Sequence, residues 1–259
     1  ITEVNEPLSR AGYDVTNLER FGLMIRNSEN AAYNYHKQMV SSGNAWSTSD
    51  GQQMLWDAER TPVTMIAYAP YMSEAAPDAS LVVNALTNQT TEENVKSSDF
   101  LLMKATVDPE QDLTADGKLK ISLSHAMSKL LIKITVNGTT DAAMNKLGDM
   151  SINGAVVNGI CDLSATVPIV VPAPDAVVAT VAPYKGTESC ECILPPQKIV
   201  EGFSVNFSYD GKLYIWTAKE AIELEKGVEH TLTLNVNTTV RLAAKMARNW
   251  ATGQLIDRN

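Results

Sequence analysis

Apolar and polar residues alternate in short runs along most of this chain, and the alternation changes phase inside the longest run. From Leu119 to Val136 (LKISLSHAMSKLLIKITV) the residues read as strand. Leu119, Ile121 and Leu123 put apolar side chains at odd positions, whereas Leu130, Ile132, Ile134 and Val136 put them at even ones. Successive residues of a strand face opposite sides, so the inward face must change between Ser124 and Ser128. The pattern predicts one long strand, bulged or bent there, that joins two packing environments.

Shorter strands are expected at Phe21–Ile25, Tyr33–Val40, Pro62–Tyr71 and Phe100–Ala105. Clusters of turn-forming residues separate them, as at 41–51 and 107–118. Residues 1–20 lack periodicity and read as an arm or a loosely attached edge, and polar Ala75–Asn94 reads as a long loop with a helical turn. After Asn137–Gly138 the pattern restarts. Asp141–Met150 reads as either a short helix or a loop, while Asn153–Gly154 and Asn158–Gly159 predict short hairpins. Pro168–Pro183 is too rich in proline for a central strand and suits an edge or a loop. The clearest hairpin joins Phe203–Tyr209 to Lys212–Thr217 through Asp210–Gly211, a pair that tolerates the two positive φ angles of a type I′ turn. Leu224–Gly227 is a turn, and His230–Val236 alternates cleanly. In the tail, Val240, Leu242, Ala244 and Met246 alternate as in a strand. The stretch RLAAKMARNW is also good helix sequence, but strand is the preferred reading. Many short strands and few helices give an all-β chain of sandwich type, with one domain at 1–137 and a second at 138–259.

Charge narrows the function. The 259 residues carry a net charge of −9, which disfavours a nucleic-acid partner. The tail is the exception. Arg241, Lys245, Arg248 and Arg258 against Asp257 give +3 from residue 241 onward and leave −12 elsewhere. No run approaches the length of a membrane span. Residue 1 is Ile rather than Met, so the sequence reads as either a recombinant fragment or a processed form, with any targeting segment removed. An odd set of three cysteines, Cys161, Cys190 and Cys192, argues against a disulfide framework.

Candidate chemistry is thin. His36, His125 and His230 are far apart and in no metal-ligand spacing. His125 lies at the phase change beside Ser124 and Ser128, but a Ser–His nucleophile needs an orienting acid and an oxyanion hole, and the sequence shows neither. A half-buried structural histidine is the favoured reading, and a hydrolase built on His125 the remote one. Cys190 and Cys192 share one face of a strand and read as packed thiols, not as a metal site. Asp108, Glu110, Asp112 and Asp116 lack the glycine and closing glutamate of an EF-hand and read as a solvated acidic turn. Phosphate-loop, dinucleotide and nucleophile-elbow motifs are absent, so no cofactor and no metal are expected. Trp46, Trp56, Tyr68 and Tyr71 are candidates for a carbohydrate platform, with core packing an equal explanation.

Several segments, in order, resemble the fimbrillin (Mfa-like, FimA-like) family, the subunits of type V pili. SLSHAMSKLLIKITV at 122–136 looks like that family's strand with a His, a small-Lys pair and an aliphatic run. Around it stand NLERFGLM at 17–24, IAYAPY at 66–71, SDFLLMKA at 98–105 and LPPQ at 194–197. The closing segment Tyr214–Val236 and WATGQLI at 250–256 complete the series, although His230 stands where Tyr is commoner. The resemblance implies two transthyretin-like β-sandwich domains in tandem. It also implies export as a lipoprotein to the outer membrane, loss of an N-terminal segment to an arginine-specific protease, and polymerisation by strand exchange.

On that footing Arg10 is the candidate cleavage site, with Arg20 and Arg26 as rivals nearer to or inside a predicted strand. Val240, Leu242, Ala244 and Met246 are the candidate donor strand, which its positive charge would steer to an acidic neighbour. The expected partners are other pilin subunits, with a host protein or glycan as a further ligand and the membrane reached only through a removed lipid anchor. The function read here is a non-enzymatic, surface-exposed fimbrial subunit that contributes to adhesion. The alternative is a monomeric surface lipoprotein adhesin on the same fold.

Overall fold

The computed structural model describes residues 2–4, 12–13, 17–42, 45–75, 80–115, 118–138, 143–236 and 242–248. The first strands are β1 (Thr2–Val4), β2 (Arg20–Arg26), β3 (Tyr35–Ser42), β4 (Ala45–Thr48), β5 (Val63–Ala69), β6 (Ser80–Asn84), β7 (Leu101–Val107) and β8 (Ile121–His125). They are followed by β9 (Ser128–Val136), β10 (Leu147–Val156), β11 (Asn158–Asp162), β12 (Val170–Pro172), β13 (Val178–Val181), β14 (Tyr184–Lys185) and β15 (Cys190–Leu194). The last are β16 (Gln197–Ile199), β17 (Ser204–Tyr209), β18 (Lys212–Thr217), β19 (Ile222–Leu224), β20 (Glu229–Val236) and β21 (Leu242–Arg248). Among the described residues helix is confined to a 3-10 turn at Ala31–Tyr33 and to α1 (Glu92–Ser97) and α2 (Ala143–Lys146). Thr91 caps α1, its side chain accepting from the Asn94 N–H.

A seven-stranded sheet runs β1-β8-β7-β5-β2-β3-β4, and a five-stranded sheet runs β14-β15-β9-β20-β21. Smaller sheets are β13-β10-β17-β18, β12-β11-β6 and β16-β19. The seven-stranded sheet buries both faces. Met24, Ile66, Tyr68 and Leu102 join the large core shared with β9, β10, β15, β17 and β20. Phe21, Leu23, Ile25, Met65 and Leu123 form a second core on the other face.

The phase change is a change of sheet. Ile121 and Leu123 of β8 belong to the second core, whereas Ala126, Met127, Leu130, Ile132 and Ile134 belong to the large one. The expected single long strand is therefore two strands parted by Ala126 and Met127. The backbone shows the handover. The Ala126 N–H donates to the Phe100 carbonyl beside β7, and the Met127 carbonyl accepts from the Gly227 N–H ahead of β20. Sheet and core membership thus change at Ala126–Met127, before Asn137. β9 is central in its sheet, antiparallel to β15 and parallel to β20.

Other expectations meet the structure unevenly. Asp210 and Gly211 have φ of 51° and 76°, as the β17–β18 turn requires. β12 and β13, within the proline-rich stretch, are edge strands. Asn153–Gly154 is not a hairpin turn. β10 runs through it with a register shift against β13, and a Cβ on Gly154 (φ 89°) would collide with the Gly202 backbone. Asn158–Gly159 opens β11 and likewise turns no hairpin. The supposed loop at Ala75–Asn94 contains β6, which pairs with β11. The tail stretch Leu242–Arg248 is strand, antiparallel to β20.

Candidate functional site

Asp99 is the hub at the strand change. Its carboxylate accepts from the backbone N–H of Tyr13 at 3.1 Å and of Phe100 at 2.9 Å, and lies 2.8 Å from His125 Nδ1. Its side chain is only 1% exposed. A buried carboxylate needs such partners, and three groups on three parts of the chain provide them. Sequence reasoning found no acid for His125; Asp99, within SDFLLMKA, is that acid. Through its backbone contacts to Tyr13 and Phe100 it ties the N-terminal segment to the strand change.

That segment is fastened again nearby. Asn17 Nδ2 donates to the Gly12 carbonyl at 2.8 Å, and Lys96 Nζ donates to the Asn17 carbonyl at 2.9 Å. Lys96 also stands 5.3 Å from the Tyr13 ring centroid. Burial first, then the charges of Asp99 and Glu93, push the Tyr13 phenol up to about 12. Gly12 has φ of 110°, and a Cβ there would stand 3.2 Å from Asp99 Oδ2, so both conformation and space favour glycine. Arg10 lies outside the described residues. Arg20 and Arg26 are the first and last residues of β2, which is held between β3 and β5.

β1 and β21 are edge strands. β1 pairs in parallel with β8 at the margin of the seven-stranded sheet, and β21 pairs with β20 at the margin of the five-stranded one. Leu242, Ala244 and Met246 stand opposite Val236, Leu234 and Leu232; Val240 lies outside the described residues. On β9, Lys129 forms a 3.0 Å ion pair with Glu191 of β15. Glu229, the β20 partner of Lys129 in register, has its carboxyl pushed up, chiefly by burial.

The other candidates are dispersed. His36 Nε2 lies 2.8 Å from the Tyr68 hydroxyl, which donates to the Met72 carbonyl, so the ring nitrogen is the donor. His230 Nε2 accepts from the Glu225 N–H at 3.0 Å. Burial lowers the pKa of both rings. Cys161, Cys190 and Cys192 are buried free thiols. Burial pushes Cys161 up to about 11 and Cys190 up to about 12, and it raises Cys192 as well, which makes poor nucleophiles. Asp108 and Asp112 spend their carboxylates on Glu110 N, Gln111 and Asp108 N within their own turn. Among the described residues no three His, Cys, Asp or Glu side chains converge as metal ligands would. Trp46 and Trp56 border one pocket, whereas Tyr68 is buried in the large core.

Residues 9–249 match the family described as fimbrillin-like. The fold is similar to that of a candidate cell adhesion protein from Bacteroides uniformis, with a TM-score of 0.68, 18% identity and coverage of 92% of this chain and 94% of that one. A candidate cell adhesion protein from Bacteroides ovatus also gives a TM-score of 0.68, at 16% identity over 99% of this chain and 97% of its own. The C-terminally truncated tip fimbrial protein of Porphyromonas gingivalis gives 0.51, at 10% identity over 89% and 93%. At such identities the likeness is one of fold. No curated protein sequence matches the chain.

Proposed function

Since the chain belongs to the fimbrillin-like family, we propose that it is a structural subunit of a cell-surface fimbria. In this reading it assembles by strand exchange after N-terminal proteolysis and contributes to adhesion. The observation that carries the reading is the position of the two end strands. β1 and β21 each have one neighbour, so either can leave without splitting a sheet. Departure of β1 would bare the backbone of β8, and departure of β21 would bare that of β20. An unpaired edge beside an apolar face accepts another chain's strand.

Arg10 is the proposed cleavage site. Its rivals lie in β2, whose backbone is paired with β3 and β5, and a protease needs an unpaired segment. Leu242, Ala244 and Met246, with Val240, form the proposed donor strand. The tandem pair of transthyretin-like sandwiches belongs to the same proposal, and the change of sheet at Ala126–Met127 supports a division there over one at Asn137. Lipid anchoring of a precursor and export to the outer membrane rest on family membership alone. A host protein or glycan as adhesion ligand is part of the proposal too.

The test is treatment of the chain with an arginine-specific protease, followed by gel electrophoresis and mass spectrometry. Cleavage between Arg10 and Ala11 with a ladder of oligomers is expected. An intact bond would remove the Arg10 assignment, and an unchanged monomer after cleavage would favour the monomeric adhesin.

A further inference from the structure

The second core is incompletely filled. Phe21, Leu23, Met39 and Met65 form an apolar floor on one face of the seven-stranded sheet, and above them lies a cavity of about 600 Å³. Exposed Leu55 borders it, so the space opens to solvent, and small-molecule sites span about 300–1,000 Å³. The space is therefore of ligand size.

Its walls are braced from within the chain. Trp46 of β4 stands edge-on to Phe21, with centroids 4.9 Å apart at 69°. The segment carrying Leu55 and Trp56 is clamped by Tyr35, whose hydroxyl donates to the Leu55 carbonyl at 3.3 Å and accepts from the Leu55 N–H at 3.2 Å. Thr48 Oγ1 holds the start of that segment by donating to the Gln52 carbonyl at 2.7 Å. Leu113 and Leu119, which also line the space, are held by a bridge between them and a 2.8 Å bond from Thr114 N to the Lys118 carbonyl. A cavity so supported does not rely on its ligand to form.

The carboxylate and the amide of the lining are already used. Asp57 accepts from the Thr61 N–H at 2.8 Å through one oxygen and from Asn27 Nδ2 at 2.8 Å through the other. Asn27 Oδ1 accepts from the N–H groups of Glu29 and Asn30, both at 2.9 Å. A sugar would need convergent free donors and acceptors beside the aromatic rings, and these two residues are committed to each other. Lys118 and Tyr33 also line the space; the rest is aliphatic, thioether and aromatic surface, and apolar cavities take apolar guests.

We propose that this cavity is a binding site for a small hydrophobic molecule with little hydrogen-bonding capacity, seated on the Phe21–Met65 floor between Trp46 and Trp56. The site does not depend on the fimbrial reading, so either can fail alone. The test is a fluorescence titration of the full chain with Nile red. Saturable one-to-one binding is expected, displaced by decanol and not by N-acetyllactosamine. Trp56→Ala should weaken binding at least tenfold. Leu55→Glu, at a position 61% exposed and thus tolerant of change, should do the same by putting a charge at the mouth, with the circular dichroism of the folded chain retained. Absence of saturable binding, binding unaffected by either substitution, or displacement by the sugar and not by decanol would overturn the proposal.

Discussion

Gln89 holds both backbone groups of Ile193. Its Nε2 donates to the Ile193 carbonyl at 2.8 Å, and its Oε1 accepts from the Ile193 N–H at 2.8 Å. A side-chain amide thereby continues the pairing of β15 beyond the two residues of β14. Gln89 is fully buried, and Nε2 also donates to the Leu86 carbonyl. Gln89→Leu would strand these backbone groups in a dry interior, at a cost of about 3 kcal/mol. The measurement is the urea midpoint at unchanged slope, and an unaltered midpoint would show that the amide contributes nothing.

The Asp99 hub makes a separable prediction. Asp99→Ala removes the acceptor for the Tyr13 N–H and the partner of His125 Nδ1. Loss of charge-assisted bonds of this kind costs about 2 kcal/mol. Hydrogen exchange should speed up at Tyr13 at least tenfold while the β9 and β20 amides keep their protection. Equal loss at both places would mean that the hub supports the whole fold and not the N-terminal segment in particular.

Acid should weaken the fold through two histidines. Burial depresses the folded-state pKa of His36 and His230. The unfolded chain therefore binds protons first, below about 6.5. Their contribution is complete above that pH and declines as pH falls toward the folded values. Thermal midpoints recorded from pH 7.5 to 5 should drop, and His230→Gln should flatten the slope. A variant with an undiminished slope would assign the effect to other groups.

Deleting everything beyond Thr239 tests the donor strand. It strips β20 of its β21 neighbour. After arginine-specific proteolysis the truncated chain should give no oligomer ladder on gels. A normal ladder would end the donor role of the tail.

The strand change was readable in advance because side-chain parity is a local property. Leu123 and Leu130 face different cores, and their odd and even positions say so. The Asp210–Gly211 hairpin was readable for the same reason. Gly154 misled because a positive φ serves a bulge as well as a turn, and the sequence does not say which. β6 was hidden because its partner β11 lies far along the chain, although Leu81 and Val83 point inward and Val82 outward. At the candidate site, His125 drew notice and Asp99 did not. Their meeting depends on how the end of β8 passes Phe100, which no periodicity encodes.

The parallel pairing of β9 with β20 has a kinetic meaning. Thr135 meets Asn235 across it, a separation of 100 residues. The seven-stranded sheet needs nothing beyond His125, so its pairings are available as soon as that much chain has emerged. The central strand of the five-stranded sheet can meet β15 at residues 190–194, but its other side stays unpaired until residues 229–236 arrive. Closing so long a loop slows folding. The large core is thus completed late, and until it is, the β20 side of β9 is an open edge in need of protection from other chains.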